Sequence, residues 1–139
     1  LKLIDRPVDV LELGRQMPSI HAALLSAVCD KLAKILDEKK ATDVKILKVS
    51  EKTVIADYFV IASADSTTHT KALADEAEYR LGEENEKVYS KEGTDSANWI
   101  LLDLGDVIVH IFDERSREFF KLEKLWCEAE DVPFDKKED

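Results

Sequence analysis

A chain of 139 residues is long enough to bury one substantial core and too short for two comfortable ones. With 45% hydrophobic and 36% charged residues and only 4 Gly and 3 Pro, its composition is that of a folded domain and excludes a fibrous or low-complexity chain. A formal net charge of -10 argues against direct, phosphate-driven nucleic-acid binding, because too few cations are available to displace counterions, and favours approach to a basic partner surface.

Residues 1–16 alternate apolar and polar side chains loosely around Pro7, and Gly14 breaks the Leu11–Leu13 run. They read as an N-terminal arm outside the core, either an upstream extension or a vector-derived remnant, with Met17 as a natural start. The domain is expected over 17–128, followed by an acidic tail over 129–139 that frays in solvent. Ser19 is a good N-cap for the clearest helix in the chain. Ile20, Leu24, Ala27, Val28, Leu32, Ile35 and Leu36 recur at three- and four-residue spacing as far as about Lys39.

Asp43–Ser50 alternates Val44, Ile46 and Lys48 against Lys45, Leu47 and Val49, which predicts a strand. Thr53–Ala64 predicts a second, interrupted by Asp57 before the apolar run from Tyr58. Asp57 either caps a bend at the strand edge or faces a partner. Ser66 and Thr67 are cap candidates for a second helix, with Leu73, Ala77, Tyr79 and Leu81 as a weaker stripe ending at Gly82. Val88–Ser90 reads as a short strand, and the polar stretch from Lys91 to Asn98 leads into the most apolar part of the chain.

Trp99–Phe112 predicts a hairpin: two aliphatic runs joined by Asp103-Leu104-Gly105-Asp106, with Gly105 free to adopt positive φ. A turn on Leu104 and Gly105 sets Asp103 opposite Asp106 and Trp99 opposite His110. Alternation puts Trp99, Leu101, Ile108, His110 and Phe112 on one face, and Ile100, Leu102, Val107, Val109 and Ile111 on the other. Both faces are apolar, so each needs a cover. Three arrangements do this: helices on one face with a partner on the other, helices shared between the faces, or a homodimer. Asp113 is placed to cap a last helix with Phe119, Leu122, Leu125 and Trp126 inward and Arg115, Arg117, Lys121 and Lys124 outward.

Catalytic signals are weak. Asp103 and Asp106 at the hairpin tip read either as a solvated turn pair or as a divalent-cation site. His21, His69 and His110 have no zinc-site spacing, and no Ser-His-Asp or Cys-His arrangement follows from the chain. His69 is expected at the surface, and His110 is either packed in the core or part of a contact surface. Cys29 and Cys127 read as buried helix thiols, which together with the absence of a signal pattern suggests an intracellular protein. The turn at Ser63–Thr67 lacks the glycines of a phosphate cradle. The residues themselves therefore point to binding rather than catalysis, with no metal or cofactor expected.

The stretches Ala56–Ile61, Ser66–His69, Gly93, Ser96–Trp99, Asp103–His110 and Leu122–Trp126 together resemble the ribosomal silencing factor family, also called RsfS or Iojap. The likeness runs from about Ile20 to Trp126. It implies a single-domain mixed α/β fold, a β-sheet flanked by helices, related to nucleotidyltransferases but without their activity. It also implies a protein of the bacterial cytoplasm, or of an organelle in eukaryotes. Members of the family dock on large-subunit protein fourteen and sterically block the small subunit, lowering translation when nutrients are short.

Carried onto this chain, the resemblance marks Asp57, Thr68, His69, Trp99, Asp103, Asp106, Val109 and His110 as partner-binding, with Trp99, His110 and hairpin neighbours at the apolar centre and the aspartates as rim charge. Gly93, Gly105 and Trp126 are expected to be structural. Asn98 departs from the acidic residue that many relatives carry before the tryptophan, and the arm has no counterpart in the family pattern. Two other readings stay open: a nucleotidyltransferase-like enzyme using a metal at Asp103 and Asp106, and a homodimeric module with another target.

Overall fold

The computed structural model describes residues 18–51, 53–121 and 130–134. The expected arm, Met17, Leu122, Leu125, Trp126 and Cys127 lie outside them. In chain order the elements are α1 (Pro18–Glu38), β1 (Thr42–Lys48), β2 (Tyr58–Ala64), α2 (Thr67–Glu83), β3 (Ser90–Glu92), β4 (Trp99–Asp103), β5 (Val107–Asp113), α3 (Glu114–Phe120) and β6 (Glu130–Val132). The strands form one mixed sheet in the order β3-β4-β5-β2-β1-β6. Its only parallel pair among the described residues is the central β2–β5, which requires the long crossover that α2 supplies. No helix among the described residues is long and apolar enough to cross a membrane.

The helices are shared between the faces. Leu25, Val28, Cys29, Leu32 and Leu36 of α1, with Leu73, Ala74, Ala77 and Leu81 of α2, pack over Ile46, Val60, Ala62, Ile100, Leu102, Val107, Val109 and Ile111. Burial raises the Cys29 thiol to about 12, which leaves it an inert apolar filler, as expected. On the opposite face Leu47, Val49, Phe59, Ile61, Ile108 and Phe112 form a smaller cluster, with Trp99 and Leu101 at its margin. Both hairpin faces therefore carry the residues that alternation assigned to them.

The register differs from the expected one. Asp103 lies opposite Ile108 and Trp99 opposite Phe112, so the hairpin closes through a wider loop in which Leu104 N donates to Val107 O at 2.9 Å. Asp103 Oδ1 accepts from Gly105 N at 2.7 Å, and Gly105 has φ 93. Asp106 O accepts from both Asp57 N and Tyr58 N, which ties the loop to the start of β2 rather than to β4. The slip is two residues, so no side chain changes face.

Other boundaries also move. Ser19 stands inside α1, and Ala27 is exposed while Leu25, Cys29 and Ala33 are buried, so the stripe is rotated from the expected one. The N-cap of α2 is Ser66, whose hydroxyl accepts from His69 N, and Tyr79 faces solvent two positions from buried Ala77. The short strand begins at Ser90 instead of Val88, and β2 begins at Tyr58 instead of Thr53. Glu130–Val132, within the stretch expected as a fraying tail, pairs with β1 as an edge strand.

Asp113 caps α3 as expected, accepting from Ser116 N at 2.7 Å, but the helix is turned over. Arg117 is only 7% exposed, whereas Phe119 is 79% exposed. The guanidinium donates to Ser63 Oγ at 2.9 Å and to Asp43 O, and lies 3.3 Å from the Asp43 carboxylate. A β1 irregularity between Thr42 and Lys45, with Asp43 at φ 51, presents these acceptors. Neither could be read from helical periodicity.

Candidate functional site

The second sheet face builds an aromatic platform. Trp99 enters it from β4, His110 and Phe112 from β5, Phe59 from β2, and Phe119 and Phe120 from α3. The Trp99 ring stacks on Phe112 with centroids 4.9 Å apart and meets Phe120 at 5.0 Å. Phe119 stands edge-on to Phe120 at 5.2 Å and leaves most of its surface in solvent. Ser96, Asn98, Trp99, Arg115, Ser116, Phe119 and Phe120 line a cleft of about 460 Å³ beside this platform. Exposed aromatic rings around a half-buried tryptophan are the composition of a protein-contact centre, with Arg115, Asn98 and the serines as its polar margin.

His110 supports this surface from below. It is 4% exposed, and its Nδ1 accepts from Trp99 Nε1 at 3.1 Å, which puts the ring proton on Nε2. Phe59 packs edge-on against the imidazole at 4.8 Å. His110 is thus a core residue that orients Trp99.

Burial lowers the His110 pKa from 6.5 to about 4. The unfolded chain therefore takes up this proton near pH 6.5 and the folded chain only near pH 4, so stability is full above the first value and falls across the interval. The loss is of order 3 kcal/mol. In urea-unfolding series between pH 7 and pH 4, His110→Gln is expected to fall less steeply than the parent chain. Parallel slopes would show that His110 does not carry the acid sensitivity.

The remaining expected site residues divide between surface and scaffold. Val109, expected as a contact, is fully buried under α1 and α2, because alternation turns it to the face opposite His110. Thr68 is exposed on the first turn of α2. His69 is part-buried; its Nε2 lies 2.8 Å from Lys39 O and its Nδ1 accepts from Asp65 N at 3.2 Å, so the ring clasps the end of α1 to the start of α2. Asp103 is partly buried and holds its own turn through Gly105 N. Gly93 has φ 85, and a Cβ there would lie 2.1 Å from Trp99 O, so the turn before β4 needs glycine. Trp126 lies outside the described residues.

Asp106 does approach another aspartate, but across a histidine that spacing did not single out. His21 Nε2 on α1 lies 3.6 Å from Asp57 Oδ2 and 3.7 Å from Asp106 Oδ2. Phe59, Phe120 and Arg117 also escaped sequence reasoning. Their roles follow from which strand neighbours which, and no local pattern carries that information.

Comparison with known proteins identifies the family and the fold. A family model described as "Ribosomal silencing factor during starvation" matches residues 23–139. A Bacillus subtilis protein named "Ribosomal silencing factor RsfS" is 40% identical over 93 residues, 67% of this chain and 79% of that protein. A mouse protein named "Mitochondrial assembly of ribosomal large subunit protein 1" is 31% identical over 100 residues, 70% of this chain and 44% of that one. The crystal structure of a Chromobacterium violaceum protein superposes with a TM-score of 0.71 at 29% identity, covering 73% of this chain and 85% of the other.

Proposed function

The chain belongs to the ribosomal silencing factor family, and from that premise we propose that it docks on large-subunit protein fourteen and sterically blocks joining of the small subunit. In this reading it represses translation under nutrient limitation by occupying a surface, without a catalytic step. The observation that carries the proposal is the aromatic platform: Trp99, Phe119 and Phe120 gather apolar surface around a cleft at one side of the sheet. A buried aromatic centre with a polar rim is the usual anatomy of a tight protein contact. The net charge of -10 favours approach to a basic ribosomal protein, although Asp57 and Asp106, expected as rim charge, lie at the other end of the strands from the cleft. The name of the mouse relative, which refers to assembly of the large ribosomal subunit, supports the choice of subunit.

Sedimentation through a sucrose gradient with separated subunits tests the proposal. The protein is expected to travel with the large subunit, to reduce the fraction of joined ribosomes, and to bind less well as salt is raised. Protein left at the top of the gradient, with joining unaffected in subunits of a matched species, would overturn the reading.

A further inference from the structure

We propose that His21, Asp57 and Asp106 form a binding site for one divalent cation of the zinc class. One donor atom from each residue lies within 4.8 Å of the other two. They come from three separate parts of the chain: the first turns of α1, the segment leading into β2, and the β4–β5 loop. This inference is independent of ribosome binding, because it rests on the opposite end of the sheet strands from the Trp99 cleft and on different chemistry.

The backbone fixes the two carboxylates relative to each other. Asp57 N donates to Asp106 O at 2.8 Å, Tyr58 N donates to the same carbonyl at 3.1 Å, and Val49 N donates to Asp57 O at 2.8 Å. Only side-chain rotation remains to be adjusted on binding. Bonds of about 2.0–2.1 Å in tetrahedral geometry place neighbouring ligand atoms roughly 3.3 Å apart. The separations of 3.6 and 3.7 Å from His21 Nε2 exceed this by a few tenths of an ångström, within reach of a small rotamer shift.

Charge and donor type select the ion. An imidazolium at His21 would offset one of the two carboxylates, whereas a dication offsets both and leaves the imidazole neutral to ligate. One nitrogen and two oxygens suit zinc and its first-row neighbours, while calcium and magnesium prefer oxygen alone. Three protein ligands leave a fourth position for water. The carboxylates are partly open to solvent, with side-chain exposures of 36% for Asp57 and 27% for Asp106, which gives the ion a way in. By contrast, the His69 ring pairs with a single carboxylate, that of Asp65, and both its nitrogens are engaged by backbone groups. It serves as the internal control.

The test is calorimetric titration of the full chain with Zn²⁺, repeated with Co²⁺, whose visible spectrum reports ligand number and type. Saturable binding of one equivalent is expected, weakened at least tenfold in His21→Gln, Asp57→Asn and Asp106→Asn and unchanged in His69→Gln. Imidazole NMR of the unaltered chain covers the case in which a variant fails to fold: the His21 ring signals are expected to shift first on addition of Zn²⁺. Unsaturable binding, variants that bind like the parent, or first shifts at His69 or His110 would each overturn the assignment.

Discussion

Trp99→Ala is expected to weaken binding to the large subunit by about 2 kcal/mol or more, roughly thirtyfold, while leaving a folded domain. The indole is half-buried and forms the wall shared by the cleft and the aromatic cluster beneath it. Truncation also removes packing against Phe112 and Phe120 and leaves His110 Nδ1 without its donor, so stability should drop by about 2–3 kcal/mol. Trp99→Phe separates the two contributions. It keeps a ring on the platform but loses the N–H to His110, so it should cost about 1 kcal/mol of stability and far less binding. Unfolding curves and gradient binding on both variants provide the check. A Trp99→Ala protein that binds normally would remove Trp99 from the dock.

Gly93→Ala and Gly82→Ala are expected to act in opposite directions. At Gly93 a methyl group would meet the Trp99 carbonyl at 2.1 Å with the backbone held at φ +85, so both sterics and conformation oppose it. A loss of roughly 2–5 kcal/mol follows, together with displacement of the start of β4 and hence of the Trp99 platform. At Gly82, in the last turn of α2, an added Cβ meets nothing within 4 Å. Alanine there should be neutral or stabilise by up to about 1 kcal/mol, because glycine is the poorer helix former. Thermal midpoints of the two variants measure the contrast. Equal shifts would mean that the tight approach at Gly93 relaxes freely.

Much of the architecture was legible in periodicity. The stripe through Val28, Leu32 and Leu36 identified α1, and the alternation through Trp99–Phe112 assigned every hairpin side chain to its observed face. Ser66 and Asp113 announced their helices, because a cap is a contact between residues a few positions apart. The expectation that both hairpin faces need covering also held, with α1 and α2 over one face and α3, through Phe120, against Trp99 and Phe112 on the other.

Within the candidate site, local pattern singled out Trp99, His110 and Gly105, whereas the family resemblance supplied Gly93 and marked Val109, which the structure buries. Marking Val109 as a contact followed its neighbours along the chain rather than its face. Arg117 and Phe119 exchanged sides for a related reason. A seven-residue helix has too few turns for a stripe to define an inner face, and the acceptors that Asp43 and buried Ser63 offer to Arg117 decided its rotation.

The sequence by itself determined family membership, the helix and strand types, and the placement of Trp99 and His110 on the same sheet face. All of these depend on residues close along the chain or on motifs read as strings. Tertiary structure alone decided the hairpin register, the burial of Arg117, and the meeting of His21 with Asp57 and Asp106. These depend on contacts across long stretches of chain: a carbonyl on Asp106 that serves β2, and a helix start brought over a turn far away. Side-chain periodicity states which way a residue faces, but not which distant residue it will find there.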